Sequence, residues 1–313
     1  MNLLVTGGAG FIGSHFTLRH RAQHPKDHIV VLDKLTYAAD KAFLDPIIDT
    51  ITFVEGDIAD QPLAMRLVEE HAIDAIVDFA AETHVDKSIR ETAPFLHTNV
   101  LGVQSLIEVC KAHPKILYLH VSTDEVYGGL KDGAPACTPE SPLHPGNPYS
   151  ASKAAGDLLI LAAVRTYGIR ARITRCTNNY GPHQADEKFI PTVVRCALKG
   201  EPVPVYGKGK QKRDWLYVTD HTDATEIVLH KGEDGEIYLI SADQERENIE
   251  TAQAVLDVLH KPHDLLSFVE DRLGHDWRYA LDSRSTKKLG WKPQVSFEEG
   301  LKKTVEWYEK KFI

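Results

Sequence analysis

The chain of 313 residues is 42% hydrophobic and carries a formal net charge of −9, so it is long enough for one large α/β domain with a smaller appended one. The acidic balance argues against nucleic acid as the main partner, because counterion release requires clustered Lys and Arg. No stretch approaches the roughly 18 to 20 apolar residues of a membrane span, so we expect no membrane partner.

The first residues, Met1–Val5, run directly into a glycine-rich turn, and we expect no secretory signal. The four cysteines are widely scattered without a C-x-x-C pair, which predicts neither a disulfide framework nor a zinc site. A reducing cytoplasm fits this pattern. No two His flank a Glu at i,i+4, so no metal site is predicted.

Short apolar runs alternate with longer helical patterns through the first half of the chain. The predicted strands are Leu3–Thr6, Ile29–Leu32, Ile51–Glu55, Ala75–Ala80 and Ile116–Val121. The predicted helices are Phe11–Arg21, Gln61–His71, Pro94–His113 and Pro148–Tyr167. This alternation predicts an α/β fold of the Rossmann type, a doubly wound parallel sheet with helices on both faces.

The second half of the chain has a different pattern, because Pro and Gly interrupt shorter elements after Tyr180. We expect residues 1–180 to form the Rossmann domain. Residues 181–313 are expected to form mainly a smaller, partly interleaved C-terminal substrate lobe, with residues 214–242 returning to the first domain.

A glycine-rich turn, Gly7–Gly13, follows the first predicted strand and opens the first predicted helix. Its G-x-G-x-x-G pattern is a weak signal by itself. Between a strand and a helix, however, bare backbone N–H groups and the helix dipole can hold a pyrophosphate. Gly7, Gly10 and Gly13 would serve the tight turn, the close approach to phosphate and the packing of helix on strand.

An acidic residue, Asp33, ends the second predicted strand 20 residues after Gly13. A carboxylate there can accept hydrogen bonds from an adenosine ribose and would repel a 2′-phosphate, so NAD is favoured over NADP. Asp57 and Ile58, after the third strand, are predicted adenine contacts by position only.

Two adjacent carboxylates, Asp124 and Glu125, lie in the segment Ser122–Gly128 at the end of the fifth predicted strand. Open α/β sheets place ligands at this edge. Adjacent acids can hold different protonation states and so divide the roles of acid and base. A solvated turn is the alternative interpretation.

A Tyr stands four residues before a Lys four times in this chain, so the spacing alone decides nothing. Only Tyr149 and Lys153 lie in the first turns of a long amphipathic helix, where i and i+4 share a face. A neighbouring ammonium and a cationic nicotinamide ring would stabilise the Tyr149 phenolate as a base. An exposed helix pair is the alternative.

Together these segments resemble the extended short-chain dehydrogenase/reductase family and, within it, the dTDP-glucose 4,6-dehydratases. The resemblance covers nearly the whole chain, and Leu273 departs from it where the family usually has Pro. The segments that carry it are Gly7–Gly13, Asp33–Ala38, Ala80–Asp86, Ser122–Gly128, Tyr149–Lys153, Asn178–Pro182, Arg213–Val218 and Gly274–Tyr279.

The resemblance implies a redox-neutral lyase that uses NAD on a nucleoside-diphosphate glucose, most naturally dTDP-glucose. Tyr149 would take the proton of the C4 hydroxyl while hydride leaves C4, and Thr123 would hydrogen-bond the forming carbonyl. Glu125 would remove the C5 proton, protonated Asp124 would donate to the leaving C6 hydroxyl, and hydride would return to C6. Lys153 would support Tyr149 and reach the nicotinamide ribose.

Further contacts follow from motif position within the family. The cofactor contacts implied are Gly7, Gly10, Phe11, Ile12, Gly13, Asp33, Lys34, Thr36, Asp57, Ile58, Ala80, Ala81, Thr98, Tyr149, Lys153 and Asn179. The substrate contacts implied are Thr83, Thr123, Asn178, Lys188, Arg213, Asn248, His275, Arg278 and Tyr279. Arg213 and Arg278 suit diphosphate oxygens through their forked donors.

Three alternatives remain open on the sequence. Sugar-nucleotide 4-epimerases and decarboxylases share the cofactor site and the Tyr-Lys pair but usually lack the Asp-Glu pair, and a non-catalytic NAD-binding regulator would usually lose its acid-base residues. No residue distinguishes thymidine from uridine diphosphate, and the pathway that the product serves is not readable. The family also implies a homodimer through helices Pro94–His113 and Pro148–Tyr167.

Overall fold

The computed structural model describes residues 1–271 and 274–313, so Leu273 lies outside the described residues. Twelve strands are formed within that part of the chain. They are β1 (Asn2–Thr6), β2 (His28–Asp33), β3 (Thr52–Glu55), β4 (Ala75–Asp78), β5 (Leu117–Thr123), β6 (Arg170–Cys176), β7 (Asn178–Tyr180), β8 (Val203–Tyr206), β9 (Lys212–Tyr217), β10 (Ile237–Ile240), β11 (Glu245–Glu247) and β12 (Leu266–Val269).

The helices of the described residues alternate with these strands. They are α1 (Phe11–Gln23), α2 (Gln61–Glu70), α3 (Val85–Arg90), α4 (Ala93–Leu96), α5 (Val103–Ala112), α6 (Pro148–Tyr167), α7 (Phe189–Lys199), α8 (Val218–Lys231), α9 (Asn248–Val258), α10 (Arg284–Lys288) and α11 (Phe297–Phe312). Among them, no helix is both long and apolar enough to cross a bilayer.

The central sheet has seven parallel strands in the order β10-β6-β5-β4-β1-β2-β3. Its order reverses between β1 and β4, which is the position where doubly wound sheets bind ligands. The predicted fold class is therefore confirmed.

Both faces of the sheet are covered, because neighbouring residues of a strand point to opposite sides. Leu4 packs with α2, α5 and α6 on one face, whereas Leu3 and Val5 pack with α1 and α8 on the other. All three side chains are fully buried. The almost continuous apolar runs of β1 and β2 follow from this double burial.

A smaller lobe packs around its own core of apolar residues from α7, β8, α9 and α11. It contains a three-stranded sheet in the order β11-β9-β7 and the parallel pair β12-β8. The chain does not stay in this lobe: α8 packs on α1 and β10 completes the edge of the large sheet. Residues 218–240 thus lie with the first domain, while β9 lies with the lobe.

Two predicted helices differ from the structure in an informative way. The predicted helix Pro94–His113 is divided into α4, a π-helical stretch His97–Gly102 and α5. In α6 the predicted apolar face is only partly inward, since Ala154 and Ala163 are buried but Leu158 is 56% exposed. The buried face of α6 instead carries Tyr149, Lys153 and further polar residues.

Candidate active site

The glycine turn joins β1 to α1 at the carboxyl edge of the large sheet. Gly7 has a φ of 65°, and a Cβ on it would lie 2.6 Å from the Ala80 backbone nitrogen. A Cβ on Gly13 would lie 2.1 Å from the Gly7 carbonyl oxygen, so no larger residue fits either position. The close packing leaves the first N–H groups of α1 facing a cleft, as a pyrophosphate requires.

Asp33 ends β2 beside this turn and is buried. One carboxylate oxygen accepts from the Ala9 N–H at 2.9 Å and the other from the Leu35 N–H at 2.8 Å. Burial raises the pKa of Asp33, and these two backbone donors oppose the rise. The side chain is thereby fixed in orientation, with lone pairs left for a ligand hydroxyl.

A single cleft extends from the glycine turn across the ends of the strands. Every residue implied as a cofactor contact lines it: Gly7, Gly10, Phe11, Ile12, Gly13, Asp33, Lys34, Thr36, Asp57, Ile58, Ala80, Ala81, Thr98, Tyr149, Lys153 and Asn179. At its rim Asp57 pairs with Lys34 at 2.6 Å and with His97 at 3.0 Å.

The acidic pair opens into the same cleft as Tyr149 and Lys153. Thr123 ends β5, and its hydroxyl accepts from the Glu125 N–H, which starts a 3₁₀ turn over Asp124–Tyr127. The strand end and the turn together present three successive polar side chains to the cleft. The predicted acid-base residues therefore share one site.

Asp124 is almost fully buried, and its Oδ2 atom has no hydrogen-bond partner among the described residues. Its Oδ1 accepts from the Thr123 hydroxyl at 3.2 Å. Burial, and then the charge of Glu125, raise the pKa of Asp124 well above its usual range, while Arg213 acts in the opposite sense. Asp124 is thus suited to carry a proton that it can donate.

Tyr149 lies in the first turn of α6, which begins at the Asn147 N-cap. Burial and the charge of Glu125 raise the pKa of Tyr149, whereas its contact with the Thr123 side chain lowers it. Glu125 itself accepts from the Ser150 hydroxyl at 3.3 Å. A phenolate at Tyr149 therefore needs added positive charge, which a bound nicotinamide ring would bring.

Lys153 follows Tyr149 by four residues in α6 and reaches into a buried polar network. Its Nζ donates to the Val121 carbonyl at 2.8 Å and lies 3.0 Å from Nε2 of His120. The other ring nitrogen of His120 lies 2.8 Å from Asp78, which also accepts from the Tyr118 hydroxyl. Burial lowers the pKa of Lys153, and the charge of Asp78 opposes this.

A second buried ion pair lies next to that network. Arg175 donates to Asp157 at 2.8 Å and to the Tyr127 hydroxyl at 2.6 Å. Asp157 also accepts from the Ser122 hydroxyl, so it fixes the strand end that precedes Thr123. Both charges are almost completely buried, and removal of either partner would leave an uncompensated charge.

These supporting residues, Asp78, His120, Asp157 and Arg175, were not predicted from the sequence. A signal was present: His120 interrupts the apolar run at the start of β5, and Asp157 follows Lys153 by four residues on the buried face of α6. A charged residue in a buried strand needs a partner. That argument would have pointed to a network without naming its pairs.

The predicted substrate contacts divide into two groups. Thr83, Thr123, Asn178 and Lys188 line the cleft, and Lys188 donates to the Thr83 carbonyl at 2.8 Å. The Oδ1 atom of Asn178 is buried without a partner among the described residues, so an acceptor is left for a ligand donor.

The second group lies outside the cleft wall. The residues of this group are Arg213, Asn248, His275, Arg278 and Tyr279. Arg213 donates to the Asp276 carbonyl at 2.9 Å and stacks on Tyr279, close enough to influence Asp124. Arg278 forms a bidentate ion pair with Glu245. To bind a diphosphate, Arg278 would have to release Glu245.

The chain is similar to known proteins over nearly its whole length. The GDP-mannose 4,6 dehydratase family model matches residues 4–304. A dTDP-glucose 4,6-dehydratase of Streptomyces niveus is 48% identical, with 98% of this chain and 93% of that protein aligned. One of Mycobacterium tuberculosis (strain CDC 1551 / Oshkosh) is 46% identical over the same shares of both chains.

A solved structure shows the same likeness in three dimensions. The dTDP-glucose 4,6-dehydratase of Streptomyces venezuelae, crystallised with NAD bound, superposes with a TM-score of 0.95 and 46% identity. The match covers 99% of this chain and 97% of that one.

Proposed function

The chain belongs to the GDP-mannose 4,6 dehydratase family and, within it, to the dTDP-glucose 4,6-dehydratases, and on this basis we propose how its residues divide the work of that reaction. The protein is an NAD-dependent hydro-lyase that converts dTDP-glucose to the 4-keto-6-deoxy sugar nucleotide. The observation that carries the division of roles is the shared cleft of Thr123, Asp124, Glu125, Tyr149 and Lys153.

The cofactor site fits NAD through the glycine turn and Asp33. When bound there, NAD would supply the acceptor for the C4 hydride and the donor of the hydride that C6 receives. The N-terminus of α1 holds the pyrophosphate, and the buried Asp33 carboxylate accepts from the adenosine ribose and disfavours a 2′-phosphate.

Tyr149 takes the proton of the C4 hydroxyl in the first step. The Thr123 hydroxyl, which already contacts Tyr149, hydrogen-bonds the oxygen that becomes a carbonyl. Lys153, four residues after Tyr149 in α6, contributes positive charge to the same cleft and is held by His120 and the Val121 carbonyl. The C4 carbonyl acidifies the C5 hydrogen.

Glu125 removes the C5 proton in the second step, and Asp124 donates its proton to the C6 hydroxyl as the C6–O bond breaks. The raised pKa of Asp124, caused first by burial, supports its protonated state before elimination. Glu125 then returns its proton to C5. The proton that Tyr149 has taken up balances the one that Asp124 has lost, so the number of protons on the enzyme is unchanged. Transfer of one proton from Tyr149 to Asp124 through solvent then restores the starting state.

Two lobes share the binding of the sugar nucleotide in this proposal. Residues 1–180 hold the cofactor and the acid-base groups, and residues 181–313 mainly hold the nucleotide diphosphate. Asn178 and Lys188 line the cleft where the two parts meet. Arg213 approaches from the lobe and acts on Asp124 through its charge, which supports a place near the reacting sugar.

A homodimer is also part of the proposal. Leu101 and Leu158 are 55% and 56% exposed, and they come from the neighbouring helical segments around α5 and α6. Two copies of this surface would form a four-helix interface that buries these side chains.

The four cysteines are buried and unpaired, which supports a reducing compartment such as the cytoplasm.

A side-by-side assay of dTDP-, UDP- and GDP-glucose tests the substrate. We expect the keto sugar from dTDP-glucose, without net accumulation of NADH. Formation of a 4-epimer, or no C6-deoxygenated product from any of the three at saturating NAD, would contradict the proposed function.

A further inference from the structure

A cluster of three histidines and one glutamate lies at the amino edge of the large sheet, away from the cleft. His20 and His24 are one turn apart at the end of α1, and Glu226 and His230 are one turn apart near the end of α8. The helices pack side by side, so the two pairs face each other. His20 is nine residues beyond the start of α1, which places it about 14 Å from the glycine turn.

All three imidazoles point at the Glu226 carboxylate. Nδ1 of His20 lies 3.0 Å from Oε2, Nε2 of His24 lies 2.9 Å from Oε1, and Nε2 of His230 lies 2.8 Å from Oε1. The ligand atoms of His20, His24 and Glu226 all lie within 4.8 Å of one another. His230 lies outside this group of three and contacts it through Glu226, so it would join as a fourth ligand by a movement of its side chain. Zinc–nitrogen bonds of about 2.0 Å place the ligands of a tetrahedral ion roughly 3.3 Å apart, so small side-chain movements would close the site.

A second carboxylate orients the buried member of the cluster. Nε2 of His20 lies 3.2 Å from Asp27, which also pairs with the N-terminal ammonium of Met1 at 2.9 Å. Metal-bound histidines commonly donate their other N–H to a carboxylate in this way, which leaves the first nitrogen free to ligate. His20 is fully buried, whereas the His24 and His230 side chains are 34% and 35% exposed and give an ion access from solvent.

We propose that His20, His24, Glu226 and His230 form a binding site for a divalent transition-metal ion, best suited to Zn²⁺, that links α1 to α8. The sequence predicted no metal site, because neither the pair His20 and His24 nor the pair Glu226 and His230 is a metal motif alone. The two pairs lie 206 residues apart in the sequence. Three imidazoles and one carboxylate match the ligand preferences of zinc. The ion would stabilise helix packing and would take no part in the reaction of the cleft.

The test uses the untagged full-length chain, stripped with a chelator and saturated with NAD. Zn²⁺ is titrated in competition with a chromophoric chelator, and Co²⁺ is used to record the visible spectrum. We expect one ion per chain, a tetrahedral Co²⁺ spectrum and a higher melting temperature with metal. His24→Asn and His230→Asn, each at a partly exposed position, should weaken binding at least about 100-fold, and Asp27→Asn about 10- to 100-fold.

The matched control is His263→Asn, which also removes one imidazole beside one carboxylate, that of Asp257. It should bind Zn²⁺ like the wild type. If the wild-type chain binds no stoichiometric Zn²⁺, the four side chains are held together by hydrogen bonds without a metal ion, and the proposal is overturned. Unchanged affinity in both His24→Asn and His230→Asn would also overturn it. Turnover of dTDP-glucose should be the same with and without metal, so this test is independent of the proposed function.

Discussion

The Nζ atom of Lys153 lies 3.0 Å from Nε2 of His120, a fully buried imidazole in the middle of β5. Through this contact the lysine of the cleft is linked to Asp78, at the end of the neighbouring strand. His120 is not among the residues that line the cleft, so we regard it as a positioning residue for Lys153.

His120→Leu should lower kcat about 10- to 100-fold, because it removes an acceptor that orients Lys153. It should also cost about 1–3 kcal/mol of unfolding free energy, since Asp78 loses a buried partner. Steady-state rates at saturating NAD and urea unfolding measure the two effects. His120→Gln, whose amide can both accept and donate a hydrogen bond, should retain most of the kcat and most of the unfolding free energy. A kcat of His120→Leu within about twofold of the wild type would refute this role.

Asp124→Asn should make the protein more stable while it removes activity. In the folded state burial holds the pKa of Asp124 above its unfolded value, so ionisation disfavours the fold. Below about pH 4 the carboxyl is protonated in both states and costs nothing; as pH rises above this, the unfolded state ionises first and wild-type stability falls.

The gain of Asp124→Asn should therefore be small near pH 4 and grow toward pH 8, to about 1–2 kcal/mol. Melting temperatures of both proteins across this range provide the measurement. Asp45→Asn, at an exposed position, is the control and should show no such trend. A gain of equal size at both ends of the range would contradict the raised pKa.

Asp33→Asn should reduce the preference for NAD over NADP about 10-fold. The amide keeps an oxygen for the Ala9 or Leu35 N–H but removes the negative charge that repels a 2′-phosphate. Dissociation constants for both cofactors give the ratio. An unchanged ratio would mean that other groups of the cleft exclude the 2′-phosphate.

Leu158→Glu should convert the proposed homodimer to a monomer at micromolar concentration, because a carboxylate would be buried at the four-helix interface. Analytical ultracentrifugation measures the change. Phe268→Glu, at a residue 57% exposed on the other lobe, is the matched control. A Leu158→Glu chain that sediments like the wild type would exclude this surface as the interface.

Local sequence patterns were sufficient to predict much of the fold and many residues of the cleft. Strand and helix periodicities and the glycine turn depend on neighbouring residues. They predicted the order of the main strands and helices up to Tyr167, but they missed the short helix α3. The Rossmann class then placed Asp33, Thr123 and Asp124 at one edge of the sheet, where the structure has them.

Contacts between residues distant in sequence could not be predicted in this way. The pairing of His120 with Asp78 and of Arg278 with Glu245 depends on which strands become neighbours and on their register. The outward direction of Leu158 has a similar cause: the inner face of α6 is occupied by Lys153 and Asp157, which need buried partners. Hydrophobic periodicity alone therefore places Leu158 on the inner face, although it correctly places Ala154 and Ala163 there.

The central claim, that Asp124 and Glu125 perform the elimination, is tested most directly by the Asp124→Asn, Glu125→Gln double variant. With dTDP-glucose and NAD, oxidation at C4 needs only Tyr149, Lys153 and Thr123, so the absorbance of reduced cofactor should rise to one equivalent per chain and remain. Mass spectrometry should then find no sugar nucleotide lighter by one water, whereas the wild type should convert all of its substrate. A double variant that releases the dehydrated product at a rate near that of the wild type would contradict the claim.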